Sequence, residues 1–211
     1  GAAWPLAAVA GLGAFHGINP AMGWLLAVAL GMQVQQRAAV WRAIAALSAA
    51  HALAIALALV GGAAAVSLAA AGAVRTVVAL VLVGMGVARL FRSRHPRVGS
   101  MRMGFAGVVG WSFVMASAHG AGLMVLPVVL GAPVHASAAH AGHAAAAGLD
   151  AAALMSATLA HSAAYLAVTA AVAVVVYEKI GLAVLRTAWI NLDAIWAVAL
   201  IGTGVLALAL A

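Results

Sequence analysis

Six apolar segments, each long enough to cross a lipid bilayer as a helix, occupy nearly the whole of this 211-residue chain. About 20 consecutive apolar residues span the hydrocarbon core as an α-helix. Hydrophobic residues make up 68% of the chain and charged residues 6%, a balance that soluble domains do not have. The sequence therefore predicts an all-α, polytopic transmembrane bundle that forms one domain over residues 1–211. The helices are predicted at 4–32, 43–60, 65–90, 104–131, 150–176 and 187–210.

The basic residues predict how the bundle is oriented. Most of them lie between helices one and two, three and four, and five and six, so these three loops fall on one side. The positive-inside rule places that side in the cytoplasm, and the six tryptophans, mostly near predicted helix ends, are interpreted as interfacial anchors. On the other side we expect both termini, the loop 132–148 and Arg75, which could delay the start of helix three to about Ala73. The net charge of +7 is then a topology signal, so we expect an integral protein of a bacterial inner membrane with no nucleic-acid partner.

The first helix contains polar and helix-breaking residues where hydrocarbon is expected. Residues 14–24 read Ala-Phe-His-Gly-Ile-Asn-Pro-Ala-Met-Gly-Trp. Pro20 lacks a backbone donor and clashes with the carbonyl of His16, four residues earlier. A helix broken at this depth leaves amides and carbonyls without partners, which is tolerated only against protein, a cavity or a ligand. The sequence predicts a polar site near mid-membrane, with helices one and four broken there.

The second half of the chain repeats the first. A histidine-glycine pair at His16 in helix one is matched at His119 in helix four, and His51 in helix two is matched by His161 in helix five. An Arg-Thr pair then opens helix three, and another opens helix six. Because each repeat has three crossings, the two halves lie inverted in the membrane, an arrangement typical of transporters with a midplane site. The repeats cover residues 4–92 and 104–210.

Four histidines near the centres of predicted crossings form the candidate site. An ionisable side chain inside a membrane is costly and usually faces the bundle interior with a partner. One interpretation is a metal site, because imidazole suits zinc, nickel, copper and iron. The other is that each histidine only hydrogen-bonds a neighbouring helix. The predicted metal ligands are His16, His51, His119, His161 and Asp193 (the last as a ligand or as a partner that holds a histidine tautomer), with Asn19, Met22, Ser48, Met124, Thr158 and Asn191 along the substrate path or around the ligands.

The predicted external loop at 132–148 carries three further histidines among alanines and glycines. These are His135, His140 and His143. Imidazoles in such a tract indicate metal capture outside the membrane. A solvated linker is the alternative interpretation.

The inverted repeat, the histidine-glycine motif in the first helix of each half and the histidine-rich loop together resemble the LysE-like superfamily of small membrane transporters. The nearest branches are nickel/cobalt permeases of the NicO and HupE/UreJ type. The stretch from His16 to Trp24 lies where those families carry their first-helix metal motif, so the resemblance carries over His16. Those families have Asp-His a few residues after that histidine, whereas this chain has Asn19-Pro20. The resemblance implies transport of a divalent transition metal ion.

Four functions fit these residues. The first is a carrier of a divalent transition metal ion, such as nickel, cobalt or zinc, whose halves rock about the midplane histidines. The second is a haem b electron-transfer protein with two histidine ligands. The others are a small-solute exporter of the amino-acid type, which would use the broken-helix backbone, and an intramembrane metal hydrolase, for which no general base is visible. We expect a transporter and not an enzyme, with the lipid bilayer and a metal ion as partners; the oligomeric state is left open.

Overall fold

The computed structural model describes residues 3–91, 104–131, 151–181 and 192–209, and these residues are almost entirely helical, with no strand among them. Three of their helices are long and apolar enough to cross a membrane, or four if one bent pair counts as a single span. The all-α class is confirmed, and helices of this length and composition agree with an integral membrane protein. The helices are α1 (Ala3–Ile18), α2 (Trp24–Val34), α3 (Arg37–Leu68), α4 (Ala71–Phe91), α5 (Phe105–Ala118), α6 (Ala121–Gly131), α7 (Ala151–Val175) and α8 (Leu192–Ala209).

Helix boundaries differ from the predicted ones where alanine-rich sequence flanks an apolar core. α3 extends from Arg37 to Leu68, well beyond the predicted 43–60. α4 begins at Ala71, between the two predicted starting points, and includes Arg75. The apolar run predicts only the part of a helix that crosses hydrocarbon, whereas alanine continues the helix past that region because its helix propensity is the highest.

Helix α1 packs along α7 through two glycines that let the two backbones touch. A Cβ atom on Gly17 would lie 2.9 Å from the carbonyl oxygen of Tyr165, and one on Gly13 would collide with the carbonyl oxygen of His161. Apolar residues alone give no net attraction between helices in lipid, so small residues at such contacts stabilise the pair through close packing. The contact also places the ring of His16, which lies between the two glycines, against α7.

Helices α4 and α8 form a second close pair, which is antiparallel and has a glycine contact on each helix. A Cβ atom on Gly86 would lie 2.8 Å from a backbone oxygen of α8, and one on Gly204 would lie 2.7 Å from a backbone oxygen of α4. Gly84 and Gly202, two residues earlier on each helix, have no atom within 4 Å of such a Cβ. The second glycine of each Gly-x-Gly therefore forms the contact.

An ion pair links α3 and α7 at one end of the bundle. Arg37 begins α3, and Glu178 lies in the π-helical turn Val176–Ile180 that follows α7. Arg37 Nη2 lies 3.1 Å from Glu178 Oε1. The start of α3 and the end of α7 therefore lie at the same end of the bundle, as the basic residues in the sequence next to them predict.

Candidate functional site

The break in the first apolar segment lies at the predicted proline. Helix α1 ends before Asn19, one 3₁₀ turn begins at Pro20, and α2 begins after Gly23. Asn19 Oδ1 accepts a hydrogen bond from the backbone N–H of Ala21 at 3.0 Å, which caps the turn. Gly23 has a φ of 132°, a conformation that other residues rarely adopt. Asn19, predicted along the substrate path or around the ligands, thus shapes the break.

Side chains bond two carbonyls beside this break. The indole Nε1 of Trp24 donates to the carbonyl oxygen of Ile18 at 2.8 Å. The hydroxyl of Tyr165 on α7 donates to the carbonyl oxygen of Met22 at 2.6 Å. Non-helical backbone at membrane depth needs partners within the protein, and these two donors supply them. Met22 thus contributes its carbonyl, while its side chain lies in the apolar core.

The predicted break in the fourth segment is also present, as a bend of 50° between α5 and α6. It lies at His119-Gly120, and Gly120 has a φ of 70°. Arg89 Nη2 donates to the carbonyl oxygen of Ala118 at 3.0 Å, and Trp196 Nε1 donates to the carbonyl oxygen of His119 at 3.1 Å. Both breaks therefore have an indole bonded to a carbonyl of the interrupted backbone.

Three of the four predicted membrane histidines lie in contact, one each from α1, α3 and α7. His16, His51 and His161 are 0%, 1% and 0% exposed. The ring centroid of His16 lies 4.9 Å from that of His161 and 5.6 Å from that of His51. Nε2 of His51 lies 3.3 Å from Nε2 of His161. We call these three residues the histidine cluster.

Hydrogen bonding fixes the tautomer of His16 and leaves one of its nitrogens available. Nδ1 of His16 lies 2.6 Å from the carbonyl oxygen of Leu12, and because a carbonyl only accepts, Nδ1 donates. Nε2 of the neutral ring then carries a lone pair, and this buried atom has no hydrogen-bond partner within the described ranges. An unpaired buried acceptor costs about 1–3 kcal/mol, so this nitrogen marks a position where a ligand would be stabilising.

Tyr165, which was not among the predicted site residues, packs against the histidine cluster. Its ring stacks on that of His51 with a centroid distance of 3.9 Å and an interplanar angle of 8°, and its side chain is fully buried. The available signal was its position four residues after His161, a spacing that places both side chains on the same face of a helix.

His119 lies apart from the histidine cluster, with Trp196 between them. The Trp196 ring centroid lies 4.6 Å from that of His16 and 5.5 Å from that of His119. Nδ1 of His119 donates to the carbonyl oxygen of Met115 at 2.8 Å, the same bond, four residues back, that His16 makes. Its Nε2 faces Arg89 Nη1 at 3.4 Å. The four predicted histidines thus separate into a cluster of three and one that contacts an arginine.

The other predicted site residues do not join the cluster through any contact that the structure shows. Thr158 Oγ1 donates to the carbonyl oxygen of Leu154, in its own helix, at 2.8 Å. Met124 is buried in the apolar core, and the Ser48 hydroxyl is buried with no hydrogen-bond partner in the described part of the chain. Outside the described residues or side chains lie Asn191, Asp193, His135, His140 and His143.

The cluster has some, but not all, of the geometry that a metal ion needs. Among the described side chains, no group of three or more histidine, aspartate or glutamate residues is arranged to hold a metal ion. The separation of 3.3 Å between Nε2 of His51 and Nε2 of His161 matches two ligands of a tetrahedral zinc ion, which are about 3.3–3.4 Å apart when each bond is about 2.0–2.1 Å. Binding of one ion by all three histidines would therefore require a rearrangement of their side chains.

Two of the tryptophans interpreted as interfacial anchors are instead buried beside the breaks. Trp24 and Trp196 are 6% and 1% exposed. A backbone carbonyl left unpaired in a membrane interior needs a donor within the protein, and a buried indole N–H can supply it. The position of a tryptophan near a helix end does not distinguish this role from that of an interfacial anchor. Arg89 likewise reaches the second break, from the last turn of α4.

Trp196→Phe is expected to lower the free energy of unfolding by about 1–3 kcal/mol, because the carbonyl of His119 loses its buried donor. The phenylalanine ring would retain the stacking on Phe15, whose ring centroid lies 5.1 Å away. Thermal unfolding in detergent measures the change. Trp41→Phe, at an exposed position on α3, is the matched control and should alter stability by less than about 0.5 kcal/mol. Equal effects of the two substitutions would contradict the role assigned to the indole N–H.

In comparisons with known proteins, no family model matches the chain, and no curated protein and no solved structure shows significant similarity to it.

Proposed function

We propose that the protein is an integral membrane transporter of a divalent transition metal ion, such as zinc, nickel or cobalt. The ion binds at the histidine cluster of His16, His51 and His161. The observation that carries the proposal is the complete burial of three contacting imidazoles from three helices, one with an unpartnered acceptor nitrogen. Ionisable groups at this depth are costly, and they are found mainly along substrate or ion pathways.

The donor set selects the class of ion. Neutral imidazole binds zinc, nickel, cobalt and copper, whereas calcium and magnesium require oxygen ligands. The one acidic side chain that the structure describes, Glu178, pairs with Arg37 at the end of the bundle. The described part of the cluster therefore offers nitrogen ligands, which supports a transition metal as the substrate.

The depth of the cluster supports transport across the membrane. His51 lies 14 residues after Arg37 and 17 residues before Leu68 in α3. At 1.5 Å per residue, these separations correspond to about 21 Å and about 25 Å along the helix axis. The cluster thus lies near the middle of a helix that is longer than the hydrocarbon core of about 30 Å.

The similarity of the two breaks supports the plan of two inverted three-helix repeats with six crossings. Before each break, His16 or His119 donates through Nδ1 to the carbonyl four residues earlier. The reciprocal contacts of Gly86 and Gly204 between α4 and α8 fit the same pseudo-two-fold relation. A site between inverted repeats, on broken helices, is typical of secondary transporters. This plan, and the resemblance to LysE-like nickel/cobalt permeases, support a location in a bacterial inner membrane.

The proposed orientation follows from the same plan. The arginine-rich end, where Arg37 and Glu178 pair, faces the cytoplasm, because short cytoplasmic loops carry an excess of basic residues. Both termini and the histidine-rich loop 132–148 face the other side. There, His135, His140 and His143 would raise the local concentration of the ion.

The geometry favours an ion over haem. Bis-histidine ligation places the iron and the porphyrin plane between two imidazole nitrogens. In the cluster, Nε2 of His51 lies 3.3 Å from Nε2 of His161, and one face of the His51 ring is in contact with Tyr165. A macrocycle would have to displace both contacts.

The proposal is tested with the purified protein in detergent and in liposomes. We expect one zinc, nickel or cobalt ion per chain by elemental analysis and titration calorimetry, no binding of magnesium, and saturable metal flux into proteoliposomes. Empty liposomes, and liposomes with a His51→Gln, His161→Gln double variant, are the controls. Absence of both binding and flux for all three metals would exclude metal transport. Flux of an amino acid that is unaffected by the double variant would favour the small-solute exporter.

A further inference from the structure

We infer that Tyr165 is a positioning residue that couples the break between α1 and α2 to the orientation of His51 in the histidine cluster. The inference rests on the proposed function, since it concerns how the cluster would bind and release its ion. Tyr165 touches both elements directly and belongs to a third, α7, so it is placed to transmit a displacement of one to the other.

The first contact fixes the plane of the His51 ring. The Tyr165 and His51 rings are nearly parallel, with an interplanar angle of 8° and a centroid distance of 3.9 Å. The imidazole cannot rotate about its Cβ–Cγ bond without losing this contact. With its plane fixed, His51 Nε2 faces His161 Nε2 at 3.3 Å. Stacking by Tyr165 therefore holds the direction in which one predicted ligand nitrogen points.

The second contact ties the same side chain to the break. The hydroxyl of Tyr165 donates to the carbonyl oxygen of Met22 at 2.6 Å. Met22 ends the 3₁₀ turn between the two half-helices, and a carbonyl at such a position lacks the partner that a continuous helix would give it. One rigid, fully buried side chain thus makes both contacts: its hydroxyl bonds the carbonyl at the break, and its ring stacks on a predicted ligand.

Coupling follows from the stiffness of the tyrosine side chain. If the turn at Met22 moves relative to α7, the Tyr165 hydroxyl must either follow the Met22 carbonyl or lose the hydrogen bond to it. When the hydroxyl follows, the tyrosine ring tilts with it. A tilt of the ring removes the parallel stacking on His51 and frees that imidazole to turn away from His161. The affinity of the cluster for the ion and the geometry of the break are then energetically coupled.

Two substitutions separate the two contacts. Tyr165→Phe retains the ring on His51 and removes the bond to Met22, whereas Tyr165→Leu removes both. Tyr177→Phe is the matched control, because Tyr177 is the other of the two tyrosines in the chain and packs on Gly31. The probe is zinc, with affinity measured by titration calorimetry in detergent and transport measured as zinc flux into proteoliposomes.

We expect Tyr165→Phe to leave the zinc dissociation constant within about threefold of the wild-type value. Flux should be slower by about tenfold, which corresponds to the free energy of one lost hydrogen bond. Tyr165→Leu should in addition weaken zinc binding by about 10- to 100-fold, as the loss of other groups that orient metal ligands does. Zinc should also perturb tyrosine absorption in the wild type and in Tyr177→Phe, and not in Tyr165→Phe. A merely structural role of Tyr165 would not separate the rate of transport from the affinity for zinc.

The outcomes distinguish this inference from the proposed function. If wild-type protein binds and transports zinc while Tyr165→Phe behaves like Tyr177→Phe in affinity, flux and absorption, the coupling role is wrong and metal transport stands. If Tyr165→Phe weakens binding as much as it slows flux, Tyr165 orients the site without coupling it to the break. If wild-type protein neither binds nor transports any of the three metals, both ideas fail together.

Discussion

Gly13→Ala is expected to destabilise the protein by about 2 kcal/mol or more, because the added methyl group would collide with backbone atoms of His161. Overpacking typically costs about 1–3 kcal/mol when side chains can shift, and a carbonyl within helix α7 cannot move independently of that helix. Alanine is a better helix former than glycine by about 1 kcal/mol, so the loss of packing must exceed this gain. Thermal unfolding in detergent, followed by circular dichroism, measures the net change.

Gly11→Ala is the matched control for this prediction. Gly11 lies two residues earlier on α1, and a Cβ atom there would have no neighbour within 4 Å. The same substitution should therefore raise stability by up to about 1 kcal/mol through helix propensity alone. Changes in stability of opposite sign at two such close positions would establish the α1–α7 contact. Stabilisation by both substitutions would show that α1 does not pack on α7 through Gly13.

His161→Gln is expected to lower zinc affinity by more than about 100-fold and to abolish flux, because loss of a ligand exceeds the 10- to 100-fold effect of losing a group that only orients one. The glutamine amide can still form a hydrogen bond with Nε2 of His51, so the buried polar contact between α3 and α7 is retained and folding is preserved. Calorimetry and proteoliposome flux give the two values, and thermal unfolding verifies that the variant is folded.

His119→Gln tests the division of the four histidines. His119 contacts Arg89 through Nε2 and is separated from the cluster by Trp196. We expect its substitution to leave zinc affinity within about threefold of wild type, a change in binding free energy smaller than the loss of a typical hydrogen bond. A loss of binding in this variant as large as in His161→Gln would restore a site of four histidines and overturn the assignment to three.

The two breaks were predictable from the sequence because their residues act locally. Proline at position 20 removes a donor wherever it stands in a helix, and glycine at 120 permits the positive φ observed there. The contact of His16 with His51 and His161 was predicted from the internal repeat, since histidines near the centres of several crossings are expected to face the bundle interior.

The separation of His119 from the other three histidines was not predictable in the same way. It depends on Trp196 and Arg89, which belong to α8 and α4 and reach the second break only after the helices have packed. In a soluble protein, the polar face of each helix would indicate which side chains face inward. Membrane helices that are apolar on all sides lack this signal, so the partners of a buried histidine cannot be read from its own helix.

Indole and guanidinium donors bond the free carbonyls at the two breaks, so neither break needs water to satisfy these carbonyls. A backbone amide held in a helix cannot follow a carbonyl that moves, whereas the side chains of Trp24, Trp196 and Arg89 can do so by small rotations of their torsion angles. Each half-helix can therefore pivot while its exposed carbonyl stays bonded, and no water has to enter the hydrocarbon region to solvate it. We therefore expect that a change of shape at these breaks, which the proposed transport requires, would not open a leak for protons or other solutes.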